Sequence, residues 1–203
     1  MYNRQQVKAA AKESLNKNFG VVLGTLFVAG IIVAIASYVA GASIIIGGVI
    51  ATGVAIVMLN VVRGNAVKFT DMFKGFNNFG PTCLAGILTS LYTFLWSLLF
   101  VIPGIVKSYS YSMTYYILAD HPEMSANDAI TASRYMMNGH KADLFVLQLS
   151  FIGWYFLSII TFGLAMFYAA PYMAVANAKF YDAIKGDYVI ETPAEASVAN
   201  EEV

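Results

Sequence analysis

Forty-five consecutive residues, Asn18 to Val62, carry no Asp, Glu, Lys or Arg. Two more tracts are equally bare, Gly75 to Val106 and Leu144 to Ala178. Charge is expensive in hydrocarbon, so a chain whose ionisable groups are segregated this way marks where a bilayer lies. A soluble core element has no use for so long an apolar run. The first tract is about twice the ~20 residues one helix needs to cross a membrane, which makes it two spans. Only 12% of the 203 residues are charged, half the roughly 25% of a soluble domain. The length suits one membrane domain, and an acidic disordered tail is expected from 186 to 203. Five acids lie after Gly186 with no Lys or Arg, so the preceding body holds 12 basic against 7 acidic residues.

The tracts divide into spans at about 19–40, 43–62, 81–102, 105–119, 144–162 and 164–184. The decisive point is Pro103-Gly104, either a kink in one long helix or a turn between antiparallel ones. Pro81 to Asp120 is 40 residues, roughly 60 Å of helix at about 1.5 Å per residue, against an apolar core of about 30 Å. Lys/Arg placement agrees. A hairpin puts eleven of the twelve Lys and Arg residues on one side, with Lys107 alone near the other face, whereas a kink divides them seven to five. A hairpin is expected, and with it six spans and both termini in the cytoplasm. The fourth span is short, about 22 Å at that rise. The first span is expected to stay uncleaved, because its apolar run exceeds the 7–15 residues of a signal peptide.

Three amphipathic segments are expected to lie in the interface. Residues 2–17 place Val7, Ala11 and Leu15 on one face. In residues 65–79, Phe69, Met72, Phe73 and Phe76 recur at the spacing of an α-helical stripe that dips into the acyl boundary. Residues 125–138 open on Ser125-Ala126-Asn127-Asp128, a capping box, and stop at Gly139. There Ala126, Ala129, Ile130, Ser133, Met136 and Met137 share one side, and Arg134 projects from the other.

Nine ionisable side chains fall between Lys107 and Asp143, both histidines among them, and any chemistry would sit there. Arg134, His140 and Lys141 form a cationic group suited to an anionic lipid headgroup or a partner protein. Lys107, Ser110, Tyr111 and Thr114 make a polar stripe at i, i+3, i+4 and i+7 on the fourth span, the pattern of an intramembrane pathway; Lys107, three residues past the Pro-Gly turn, can alternatively snorkel to the outer interface. Asp120, His121, His140 and Asp143 are metal-ligand types, but the histidines are 19 residues apart and no HExxH pattern occurs. No metal, cofactor or catalytic residue is expected, and Cys83 is a lone cysteine.

Several motifs resemble a family of bacterial multi-pass membrane proteins, domain-of-unknown-function family 975, found mostly in Gram-positive organisms. They are Asp71-Met72-Phe73-Lys74-Gly75-Phe76, Ile102-Pro103-Gly104-Ile105, Tyr109-Ser110-Tyr111-Ser112-Met113, Ser133-Arg134-Tyr135-Met136-Met137 with Gly139-His140-Lys141, Leu149-Ser150-Phe151-Ile152-Gly153-Trp154, and Pro171-Tyr172. The resemblance spans residues 1–185 and implies an architecture without a mechanism. The expectation is an all-α, six-span protein of the plasma membrane. It is expected to be non-enzymatic, to bind membrane lipids or other membrane proteins, and to bind no nucleic acid. The alternative is a small transporter or channel built on the stripe from Lys107.

Overall fold

The computed structural model describes residues 4–39, 42–99 and 101–186. The acidic tail expected from 186 lies outside them from residue 187 on. Among the described residues the chain is all-helical, without strands. Its elements are α1 (Arg4–Ala36), α2 (Ala42–Arg63), a 3₁₀ helix (Phe69–Asn78), α3 (Phe79–Leu99), α4 (Val101–Tyr111), α5 (Thr114–Asp120), α6 (Ala126–Met136), α7 (Lys141–Leu149), α8 (Ile152–Ile160) and α9 (Met166–Lys185).

Four helical stretches are long and apolar enough to cross a membrane: Arg4–Ala36, Ala42–Arg63, Phe69–Leu98 and Lys141–Ile160. Two of the six expected spans are not among them. The segment expected at 105–119 is split into α4 and α5 by a turn at Ser112-Met113. Beyond it, α9 carries Lys179, Asp182 and Lys185, which bond to the Val62 carbonyl, Arg63 and Asp120.

The core is built around α2, whose second half is buried on every side from Thr52 to Val62 apart from Val54, Ile56 and Asn60. α1, α3, α5, α9 and the 3₁₀ helix all pack on it. Two glycine contacts let backbones touch there. Gly48 faces Gly86 and the Thr82 carbonyl of α3, and Gly53 faces the Met72 carbonyl of the 3₁₀ helix. Gly75 returns the second contact, pressed on the Val49 carbonyl and Gly53. Small residues allow this approach between membrane helices.

That contact explains a departure from the sequence expectation. The amphipathic segment expected at 65–79 is not α-helical; it is a 3₁₀ helix from Phe69, begun where the Lys68 amide donates to Asp71 Oδ2 at 2.8 Å. In a three-residue period, positions i and i+3 eclipse. Met72 and Gly75 therefore share the face buried on α2, while Phe73 and Phe76 stack on the exposed face with centroids 6.3 Å apart.

α1 leaves helical geometry at Asn18 (φ −129°, ψ 22°), which separates its basic first half from the apolar second half. Val7, Ala11 and Leu15 are buried, as one amphipathic face requires. Lys8 turns inward: its Nζ donates to Ser150 Oγ at 3.1 Å and lies 4.7 Å from the centre of the Phe151 ring.

α3 and α4 run antiparallel. Gly104 backs onto Ser97, Lys107 lies over Trp96, and Tyr111 meets Tyr92, each step forward on α4 matching a step back on α3. Pro103 sits in the first turn of α4, where a missing amide proton costs nothing. Gly163 (φ +89°) turns the chain between α8 and α9.

Candidate functional site

α6 positions the cationic group. Ser125 Oγ accepts the Asp128 amide at 3.3 Å and donates to its carboxylate at 2.6 Å, capping the helix that the Ser-Ala-Asn-Asp spacing implies. Gly139 ends the segment with φ +86°. The apolar face named from the sequence, Ala126 to Met137, is buried, and Asn127, Thr131, Arg134, Tyr135 and Asn138 are exposed. Arg134 therefore projects outward.

The candidates regroup around Lys107. The sequence places this lysine alone near the opposite face, yet the charges of Arg134 and Lys141 both act on it. Its Nζ lies 4.6 Å from the Trp96 ring centre, a cation–π contact that leaves its N–H donors available. Among the described residues, Arg134 and Lys141 form no ion pair or side-chain hydrogen bond. His140, the third residue of the expected group, is paired: its Nδ1 lies 3.1 Å from Asp143 Oδ2.

The polar stripe does not persist as a row. α4 ends at Tyr111 and α5 begins at Thr114, so the two halves lie on different helices. Ser133 mends the break from α6. Its hydroxyl accepts the Met113 amide at 3.2 Å and donates to the Ser110 carbonyl at 2.8 Å, and its side chain is wholly buried. Ser110 Oγ is turned onto the Val106 carbonyl at 3.0 Å, and Tyr111 packs on Tyr92 at 6.2 Å between ring centres. Thr114 is fully buried, and its hydroxyl has no partner among the described residues.

The four residues of metal-ligand type do not converge on one point. His121 Nδ1 sits 3.3 Å from Glu123 Oε1, His140 pairs with Asp143, and Asp120 faces two cations. Among the described residues no three His, Cys, Asp or Glu side chains converge.

Asp120 belongs to a cluster that sequence reasoning missed. Arg63 at the end of α2 makes a bidentate pair with its carboxylate at 2.6 and 2.8 Å. Arg63 also reaches Asp182 at 2.8 Å, and Lys185 reaches Asp120 at 2.8 Å. Tyr181 donates its hydroxyl to Asp120 at 3.1 Å while its ring stacks on Tyr116. Burial by itself would raise the Asp120 pKa, but the hydrogen bonds from Arg63 and Lys185 outweigh it and hold the carboxyl below its ordinary value. Two acids balance two bases, so the cluster ties the ends of α2, α5 and α9 together without net charge. The only signal in the sequence was that Arg63, Asp120 and Lys185 each stand at the edge of an apolar run.

No curated protein and no solved structure matches the chain. The model of the family described as protein of unknown function (DUF975) matches residues 1–107 and 99–187, two stretches that overlap at the α3–α4 hairpin. With that match covering nearly the whole chain, this protein belongs to the DUF975 family.

Proposed function

We propose that this chain is a non-enzymatic multi-pass membrane protein that holds anionic lipid headgroups at Lys107, Arg134 and Lys141. The observation that carries the reading is the packing of α4, which bears Lys107, on α6 and α7, which bear Arg134 and Lys141; Arg134 and Lys141 have no acid partner among the described residues. Like charges left together without a counter-ion favour an anion between them, and each cation near an anionic surface is worth about 1 kcal/mol. Trp96 beneath Lys107 supplies the aromatic anchor typical of a bilayer interface.

The test uses purified protein in neutral detergent, titrated with short-chain phosphatidylethanol, which carries one negative phosphodiester charge, and read by tryptophan fluorescence. Replacing Arg134→Glu and Lys141→Glu together should weaken binding by more than tenfold, at about 1 kcal/mol or more for each site. Binding that is unchanged in this variant and insensitive to salt would sink the lipid reading.

Six crossings with both termini in the cytoplasm remain our topology. It is supported by the antiparallel α3–α4 pair.

The transporter or channel reading has one observation in its favour. A helix interrupted at Ser112-Met113, with the orphaned Thr114 hydroxyl beside the break, is how many transporters build a site. Proteoliposomes should then show a proton or potassium flux that Lys107→Met removes. An equal leak from both forms counts against it.

A further inference from the structure

A groove of about 480 Å³ lies between α3 and the α4–α5 segment. Eight of its nine lining residues bear a hydroxyl, the ninth is Phe94, and none is charged. The orientation of the hydroxyls is the informative part. Thr89 donates to the Ala85 carbonyl at 2.7 Å, Ser97 to Thr93, Ser108 to Ile105 and Ser112 to Tyr109, the last three at 2.8 Å each. Each proton is spent on the helix's own backbone, so what each oxygen has left is acceptor capacity. Tyr115 and Thr89 share one further bond at 3.1 Å. Ser90 and Thr93 make no side-chain hydrogen bond among the described residues.

A groove lined by hydroxyl-bearing side chains, largely apolar at its surface and free of carboxylates, favours a neutral ligand with a few donors over an ion. An ammonium would find no counter-charge, and a carboxylate or phosphate would meet lone pairs. A polyol fits, because each ligand hydroxyl donates to one acceptor and can accept from a hydroxyl that is still free. The groove also adjoins the cations. Tyr111 lines it, Arg134's charge acts on Tyr111, and Lys107 lies one helical turn away on α4.

We propose that the groove receives the polyol of a lipid headgroup whose phosphodiester sits at Lys107, Arg134 and Lys141. The ligand class is a phospholipid bearing free headgroup hydroxyls, of the glycerol or sugar type. This inference rests on the anionic-headgroup reading and adds the identity of the group attached to the phosphate.

The discriminating comparison is short-chain phosphatidylglycerol against short-chain phosphatidylethanol. Both carry one negative phosphodiester charge, and only the first has free hydroxyls. Tryptophan fluorescence of the full-length protein in neutral detergent should show phosphatidylglycerol binding roughly tenfold tighter, the effect of about two net hydrogen bonds. Thr93→Val with Ser108→Ala should erase that preference and leave phosphatidylethanol affinity unchanged, with helicity by circular dichroism confirming the fold. Free glycerol phosphate should fail to compete at the lipid's working concentration; effective competition would overturn the lipid source in favour of a soluble polyol phosphate. Equal binding of the two lipids by the unaltered protein would overturn the polyol inference and leave the anionic reading standing. Absence of binding to either would overturn the anionic reading. A preference that survives in the double variant would place the polyol elsewhere and overturn the groove assignment.

Discussion

Ser133 and Asp120 show what single side chains do in this protein. Ser133 reads from the sequence as one more small residue on the buried face of α6. Its hydroxyl in fact satisfies an amide and a carbonyl released where α4 gives way to α5. Unmade hydrogen bonds of buried backbone groups cost about 1–3 kcal/mol. Ser133→Ala should therefore lower stability by roughly 2 kcal/mol, read as a fall in melting temperature in detergent. Asp120 is the stronger case, its side chain only 9% exposed and held by two cations. Removing one partner of such a buried pair costs on the order of 3 kcal/mol, which Asp120→Asn should show in the same assay. The pH dependence has a definite sign. The folded-state pKa lies below the unfolded value, near 3.9. Its stabilising contribution is complete above that value and is lost as pH falls through the folded one. Asp120→Asn should be weaker at neutral pH and flatter across that acid range. A variant that keeps the parent's full acid limb would show that other carboxylates cause it.

At the scale of elements, periodicity identified the faces and packing chose the helix type. The i, i+3, i+4, i+7 aromatics of residues 69–76 suit an α-helix, but contact with α2 through Gly53 and Gly75 holds a 3₁₀ helix instead. A Cβ at Gly53 would collide with the Met72 carbonyl, and one at Gly75 with the Val49 carbonyl. Backbone cannot step aside as a flexible side chain can. Gly53→Ala and Gly75→Ala should each reduce the yield of folded protein sharply. Gly47→Ala is the control: nothing lies within 4 Å of its added methyl, and Ala is about 1 kcal/mol better than Gly in a helix interior. Its melting temperature should hold or rise. Equal losses at all three positions would mean that helix flexibility, not close approach, is what the glycines provide.

Among the described residues, exposed apolar side chains run along the helices, and the most exposed lie at the hairpin ends. Tyr38 lies between α1 and α2, Leu98 and Ile102 flank the α3–α4 turn, and Phe162, 99% exposed, sits between α8 and α9. The Arg63–Asp120–Asp182–Lys185 cluster ties the opposite ends of α2, α5 and α9. Large apolar patches on a protein in water invite association, so this distribution suits a bilayer. In a background where Cys83 is replaced by Ser, single cysteines at Tyr38, Leu98 and Phe162 should react with an impermeant maleimide from outside the cell, and one at Asn127 only after permeabilisation. Protection of Leu98→Cys alone would mean that the α3–α4 hairpin does not cross, leaving four crossings. Labelling of Asn127→Cys from outside would overturn the topology.

Much of this architecture was legible in the chain because it depends on local properties. Charge-free tracts locate apolar helices, Ser125 and Gly139 delimit α6, and the spacing of Val7, Ala11 and Leu15 names a buried face. Each follows from neighbours a few residues apart. The site was legible only in part. Arg134, Lys141 and Lys107 stood out as ionisable groups, but their convergence required α4 and α6 to pack together. The break at Ser112-Met113 was invisible because the residue that stabilises it comes twenty positions later. Sequence by itself determined which segments must leave water and which faces must be covered, since transfer of apolar and charged groups is a property of the residues. Tertiary structure alone decided which cations share a field and which hydroxyls line the groove, because Coulomb and hydrogen-bond energies depend on distances that only packing sets.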